Sequence, residues 1–222
     1  MAAHALDADA GGAERWRGRL HAHASHLVQH HDDVTRRHEH LFFDLFAIKQ
    51  IVQQFDVRQL LDELIGASLY DLLDNGLLET LSEFVDFGRT SSVDSALLDL
   101  AEAELAFRAG FHSRSKALAE VAGNRLLQRP RFASKAFCRA GQCAYFADAI
   151  DEAIEHFVRA RELAQDVADE RWAIWGLFLA AMEKEDDAAV SLLERFEKIS
   201  GGAIDDLARV QSGRLHFGMR LG

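Results

Sequence analysis

The sequence predicts an all-α protein, and three observations carry that prediction. Only one proline occurs in 222 residues, whereas strand folds scatter Pro and Gly through many turns. Alanine and leucine, both good helix formers, are abundant. Apolar residues recur at spacings of three and four, with breaks that return at a near-constant interval, as expected when paired helices stack into one array.

Residues 1 to 12 are rich in Ala, Gly and Asp and show no apolar period, the pattern of a disordered terminus. Residues 13 to 40 are polar and histidine-rich, with only scattered anchors such as Trp16, Leu20, Leu27 and Val28. From Leu41 the periodicity sharpens through Leu45, Ile48, Val52 and Phe55. A second helix runs from Leu60 through Ile65, Leu69 and Leu73 to Asn75-Gly76, where glycine takes a left-handed cap at no steric cost. A short helix from Leu77 to Phe87 follows, ended by Gly88 and a Thr-Ser-Ser loop.

Asp94 or Ser95 is placed to cap a helix from Ala96 to Ala109, with Gly110 as the turn and a partner helix from Ser113 to about Leu127. Pro130 falls between units, where a missing amide donor costs little. Two further pairs are expected at 133–147 with 149–165, and at 169–183 with 186–199. A last helix begins near Ala203. The organisation is a polar lead-in (1–40), an irregular helical section (41–92) and repeats (93–222).

The stretch from Phe137 to Gln142 and from Asp148 to Ala160 resembles a tetratricopeptide repeat. In that family a small residue in the first helix admits the second, and Gly141 stands there. A small, an aromatic and a small residue then form the interlocking seam, matched by Ala153, Phe157 and Ala160; Gln165 stands where the family has proline. Upstream, Ala103, Ser115, Ala119 and Ala122 fit the same template. Downstream, Trp172, Gly176, Ala188 and Leu192 fit, with Arg195 replacing the last small residue. From Ser115 to Ala153 is 38 residues and from Ala153 to Ala188 is 35, near the family's period of about 34. Alanine-rich helices of a generic bundle produce similar coincidences, but not the period and punctuation together. The resemblance implies a right-handed superhelix of antiparallel helix pairs, binding a protein or peptide on its concave face.

A narrower resemblance lies in "LLDNGLLETLSEFV" and "ALLDLAEAELAFRAGFHSRSKALAEVA", which are similar to the degenerate helical repeats of MalT-like bacterial regulators. It implies the sensor or assembly arm of a nucleotide-dependent regulator. The chain has no Walker-type phosphate loop of its own.

Composition bounds the partners. Thirty-six acidic residues against 25 basic ones leave a net charge of −11, which repels phosphate backbones and argues against nucleic acid. No apolar run approaches the roughly 20 residues that span a bilayer, and no secretory hydrophobic region opens the chain, so a cytoplasmic protein is expected. Cys138 and Cys143 fit neither a zinc ribbon nor a disulfide framework and are expected as buried apolar groups. No catalytic constellation or cofactor motif is present, and the expectation is a protein that is not an enzyme and carries no cofactor.

Seven histidines lie between His21 and His40. On a helix, His23, His26 and His30 would share a face, with Asp33 as a further ligand for Zn²⁺ or Ni²⁺. A solvated polar helix or a flexible lead-in segment explains the same composition and is the expected reading, so no bound metal is expected there; a pH-responsive face is an alternative use. Arg108, Arg114, Lys116, Arg131 and Lys135 mark either a binding groove or a solvated face. The run Glu183 to Asp187 is expected to favour the following helix N-terminus. Finally, Arg214–Gly222 resembles Glu104–Gly110, which makes the last repeat incomplete. Leu215, Phe217 and Leu221 are then left for a missing helix or for a second copy, a homodimer through the C-terminal helix.

Overall fold

The computed structural model describes residues 58–200 and 204–221, which form nine helices and no strand among the described residues. The chain divides into two compact units, Met1–Val93 and Asp94–Gly222. In the described part of the first, α1 (Arg58–Asp74) and α2 (Leu78–Thr90) pack together. Leu61, Ile65, Leu69 and Leu72 repeat at helical spacing and are fully buried, with Leu81, Phe84 and Val85 of α2 also inside. Gly76 stops α1 at φ +71, and the Leu77 amide donates back to Leu72 O at 2.8 Å. Gly88 departs from expectation: it lies buried inside α2, and the chain turns instead at Ser92, φ 55.

The second unit comprises α3 (Ala96–Arg108), α4 (His112–Arg125), α5 (Pro130–Phe146), α6 (Ile150–Leu163), α7 (Val167–Glu183), α8 (Ala188–Ile199) and α9 (Ile204–Leu221). Local chemistry sets the ends. Ser95, rather than Asp94, caps α3 by accepting from the Leu98 amide, and Gly110 turns the chain at φ 81. Pro130 is the first residue of α5 rather than a spacer; its fixed φ suits a helical first turn and its missing donor would be unpaired there anyway. Asp166 caps α7 through the Asp169 amide.

Each helix of this unit packs on the next, and alternate helices α3, α5 and α7 also touch in sequence. The core repeats accordingly. Ala103, Ala119 and Ala140 join α3, α4 and α5. Phe137, Cys138, Ala160 and Ala173 join α5, α6 and α7, as do Ala144, Ala153, Phe157 and Leu177. Ile174, Phe196 and Val210 join α7, α8 and α9. A helix pair therefore completes its core only with the first helix of the following pair. Alanine and glycine at these contacts let the backbones approach closely.

Several long-range polar bonds recur at one interval. Glu104 meets Arg139 at a separation of 35 residues, Lys116 meets Glu152 at 36, and Arg171 meets Asp206 at 35. Equivalent positions of successive pairs lie side by side, so one repeat length separates the partners.

Candidate functional site

The residues expected at the seam fall largely where close packing demands. Gly141, Ala153, Phe157, Ala160 and Gly176 are buried. Ala188 is not: it is exposed, and Ala189 fills the contact instead. Likewise Leu193, rather than Leu192, is the buried residue. From Gly176 to Ala189 is 13 residues where Gly141 to Ala153 is 12, so the expected register at Ala188 slips by one. Trp172, expected in the repeat pattern, is partly exposed, 44%, with the Arg209 guanidinium over its ring. His23, His26 and His30 lie outside the described residues.

The five basic residues that suggested a groove are all engaged by carboxylates. Arg108 pairs with Glu104, Arg114 with Glu102 and Lys116 with Glu152. Lys135 lies 3.6 Å from Asp169, and Arg131 4.0 Å. In the acidic run, Asp186 accepts from the Ala188 amide at 2.9 Å, a local bond at the start of α8, while Lys184 pairs with Asp151 across 33 residues.

Two surface features stand out among the described residues. The first is an aromatic edge where α3 turns into α4 and α5 into α6. Phe107 stacks on Phe146 with ring centroids 5.9 Å apart, His112 lies 5.2 Å from Phe146, and Tyr145 6.1 Å from it. Phe146 is nevertheless 61% exposed, and Phe111 in the adjacent turn 62%. The Arg139 guanidinium sits 3.8 Å over the Phe107 ring while its Nε and Nη2 donate to the two oxygens of Glu104, at 3.0 and 2.6 Å. Glu104 also accepts from Arg108. One buried carboxylate thus orients two guanidinium groups beside exposed rings, a mixture typical of binding hot spots.

The second is a polar square between α4 and α6. Lys116 and Glu120 are one turn apart on α4, and Glu152 and His156 one turn apart on α6. Lys116 Nζ lies 2.6 Å from Glu152 Oε1; His156 Nε2 lies 3.0 Å from Glu120 Oε1 and 3.9 Å from Glu152 Oε1. Their hydrogen bond raises the Lys116 pKa and lowers that of Glu152, so both stay charged near neutrality. Phe137 lies near-parallel to the imidazole with ring centroids 6.2 Å apart, and Arg159 lies over the Phe137 ring and donates to Asn124.

Cys138 and Cys143 are buried in α5. Burial pushes the Cys138 thiol up to about 12 and raises Cys143 too, which makes both poor nucleophiles.

Neither surface feature was singled out from sequence, although both left a trace. Phe107 and Tyr145-Phe146 close the first helices of successive pairs, and the square consists of two one-turn pairs set 36 residues apart. No family model matches the chain, and no curated protein or solved structure is significantly similar to it. No helix among the described residues is long and apolar enough to cross a membrane.

Proposed function

We propose that this chain is a cytoplasmic protein-interaction scaffold, not an enzyme, in which tetratricopeptide-like helix pairs stack as a right-handed superhelix and present a peptide or partner helix with an aromatic edge. The observation that carries it is the exposure of Phe111 and Phe146 on an otherwise well-packed frame. Large rings left in water beside an oriented arginine favour association, because burying them recovers transfer free energy of about 1.5–3 kcal/mol each. The three-helix cores and the bonds one repeat apart support the stacked reading. The negative charge argues for a protein rather than a nucleic-acid partner.

Affinity capture with quantitative mass spectrometry tests this, comparing the natural chain with a Phe111→Ser, Phe146→Ser variant. Both rings are mostly exposed, so the variant should melt close to the natural chain. A partner captured by the natural chain and lost from the variant is expected; the same captured set with both would remove the aromatic edge from the proposal. The alternative, an arm of a nucleotide-dependent regulator, shares the fold. Recovery of a partner with a nucleotide-binding domain would favour it.

A further inference from the structure

We infer that Glu120, Glu152 and His156 form a binding site for a divalent transition-metal ion of the zinc type, which would clamp α4 to α6. This inference is independent of the scaffold proposal. The three residues each offer one ligand atom, and those atoms lie within 4.8 Å of one another. In a tetrahedral zinc site with bonds of about 2.0–2.2 Å, neighbouring ligand atoms stand about 3.3 Å apart. The separations of 3.0 and 3.9 Å from His156 Nε2 to the two carboxylates bracket that value, and the glutamate side chains, 32% and 38% exposed, are free to rotate the remaining way.

The imidazole is positioned before any ion arrives. Its side chain is 12% exposed, and the Phe137 ring lies near-parallel to it, 6.2 Å away between centroids. Nε2 faces the carboxylates, while Nδ1 has no hydrogen-bond partner. The ion would take the Nε2 lone pair of the neutral ring in the tautomer whose single N–H is on Nδ1. One imidazole with two carboxylates suits zinc better than Mg²⁺, which prefers an all-oxygen shell. Solvent supplies the fourth ligand at this half-exposed place.

Lys116 is the resident cation, with Nζ on Glu152. Its side chain is 30% exposed, so the ammonium can swing into water at the cost of one surface pair. Such a pair is worth about 0.2–1 kcal/mol. Lys116 therefore competes with the ion, which distinguishes a metal site from a stabilising charge network.

The test is a zinc titration of the full chain, stripped with chelator, against a competing chromophoric chelator. The natural chain, His156→Gln, Glu120→Gln and Lys116→Gln share the same N-terminal histidines, so differences between them report this site. His156→Gln should bind one zinc fewer per chain, and Glu120→Gln gives the same answer if the histidine variant misfolds. Lys116→Gln should bind at this site about two- to fivefold more tightly, and loss of fold cannot mimic a gain. Mg²⁺ should not compete. Equal zinc stoichiometry in the natural chain and the ligand variants, or unchanged or weaker binding by Lys116→Gln, would overturn the assignment.

Discussion

The ring of Phe157 occupies the space that a side chain on Gly176 would need. A Cβ added at Gly176 would overlap the ring, and one added at Gly141, on its other side, would stand 2.8 Å from it. A phenylalanine of α6 thus wedges between α5 and α7 because both neighbours lack a side chain. Gly176→Ala should cost about 1–3 kcal/mol by overpacking, despite a gain of about 1 kcal/mol in helix propensity. Gly218 supplies the control: it is exposed in α9, where an added Cβ meets nothing, so Gly218→Ala should be neutral or stabilising. Urea unfolding of both variants reads the difference; equal effects would refute the wedge.

Ala153 is fully buried in the same contact. Ala153→Leu places three additional carbons between α6 and its neighbours and should lose about 1–3 kcal/mol. A thermal melt matching the natural chain would show that this contact is not closely packed.

Arg139 is the hinge of the ion network on α3 and α5. Its removal strands the Glu104 side chain, which is only 3% exposed, with Arg108 alone. Arg139→Ala should destabilise by about 1–3 kcal/mol. Arg139→Met, which restores apolar contact with Phe107 without the charge, should recover only part of that loss. Full recovery in denaturant titrations would assign the cost to packing rather than to the uncompensated carboxylate.

Asp169 carries a pH prediction. Its side chain is 1% exposed, and Oδ2 accepts no hydrogen bond. Desolvation raises its pKa, Asp166 adds to the rise, and Lys135 and Arg131 oppose it. A pKa raised on folding means that the folded chain holds this proton more tightly. The contribution is therefore favourable below the unfolded aspartate pKa and is lost as pH climbs through the folded value. Asp169→Asn should raise the melting temperature at neutral pH, with the advantage shrinking as pH falls through the carboxylate range. A constant difference across that range would contradict the desolvation account.

The two thiols should be silent in the folded chain. With Cys138 at about 12 and Cys143 also raised, a colourimetric thiol reagent near pH 8 should label neither until denaturant is added. Rapid labelling of either without denaturant would mean that α5 opens readily.

Of the residues expected to lie uncovered near the C-terminus, the side chain of Leu221 falls outside the described ones. Leu215 is 67% exposed, but Phe217 packs partly buried against the cluster of Phe178 and Leu193. The expected uncovered face is therefore narrower than the spacing of Leu215 and Phe217 implied. Gly213 lets this happen by bringing α9 close to the Phe178 and Leu193 side chains.

What the sequence determined by itself was local. Helix type, the stops at Gly76 and Gly110, a cap at Asp94 or Ser95 and the inward spacing of Ala153, Phe157 and Ala160 all depend on residues within a turn or two of one another, so linear order exposes them. The tertiary structure alone decided which of Ala188 and Ala189 faces the core, because neighbouring positions of a helix point about 100° apart around its axis and packing against Phe178 of α7 selects between them. It also decided the fate of the charges. Lys116 and Glu152 stand 36 residues apart, and only the stacking of one helix pair on the next brings the ammonium to the carboxylate. The pairing energy acts through space, whereas the sequence records only distance along the chain.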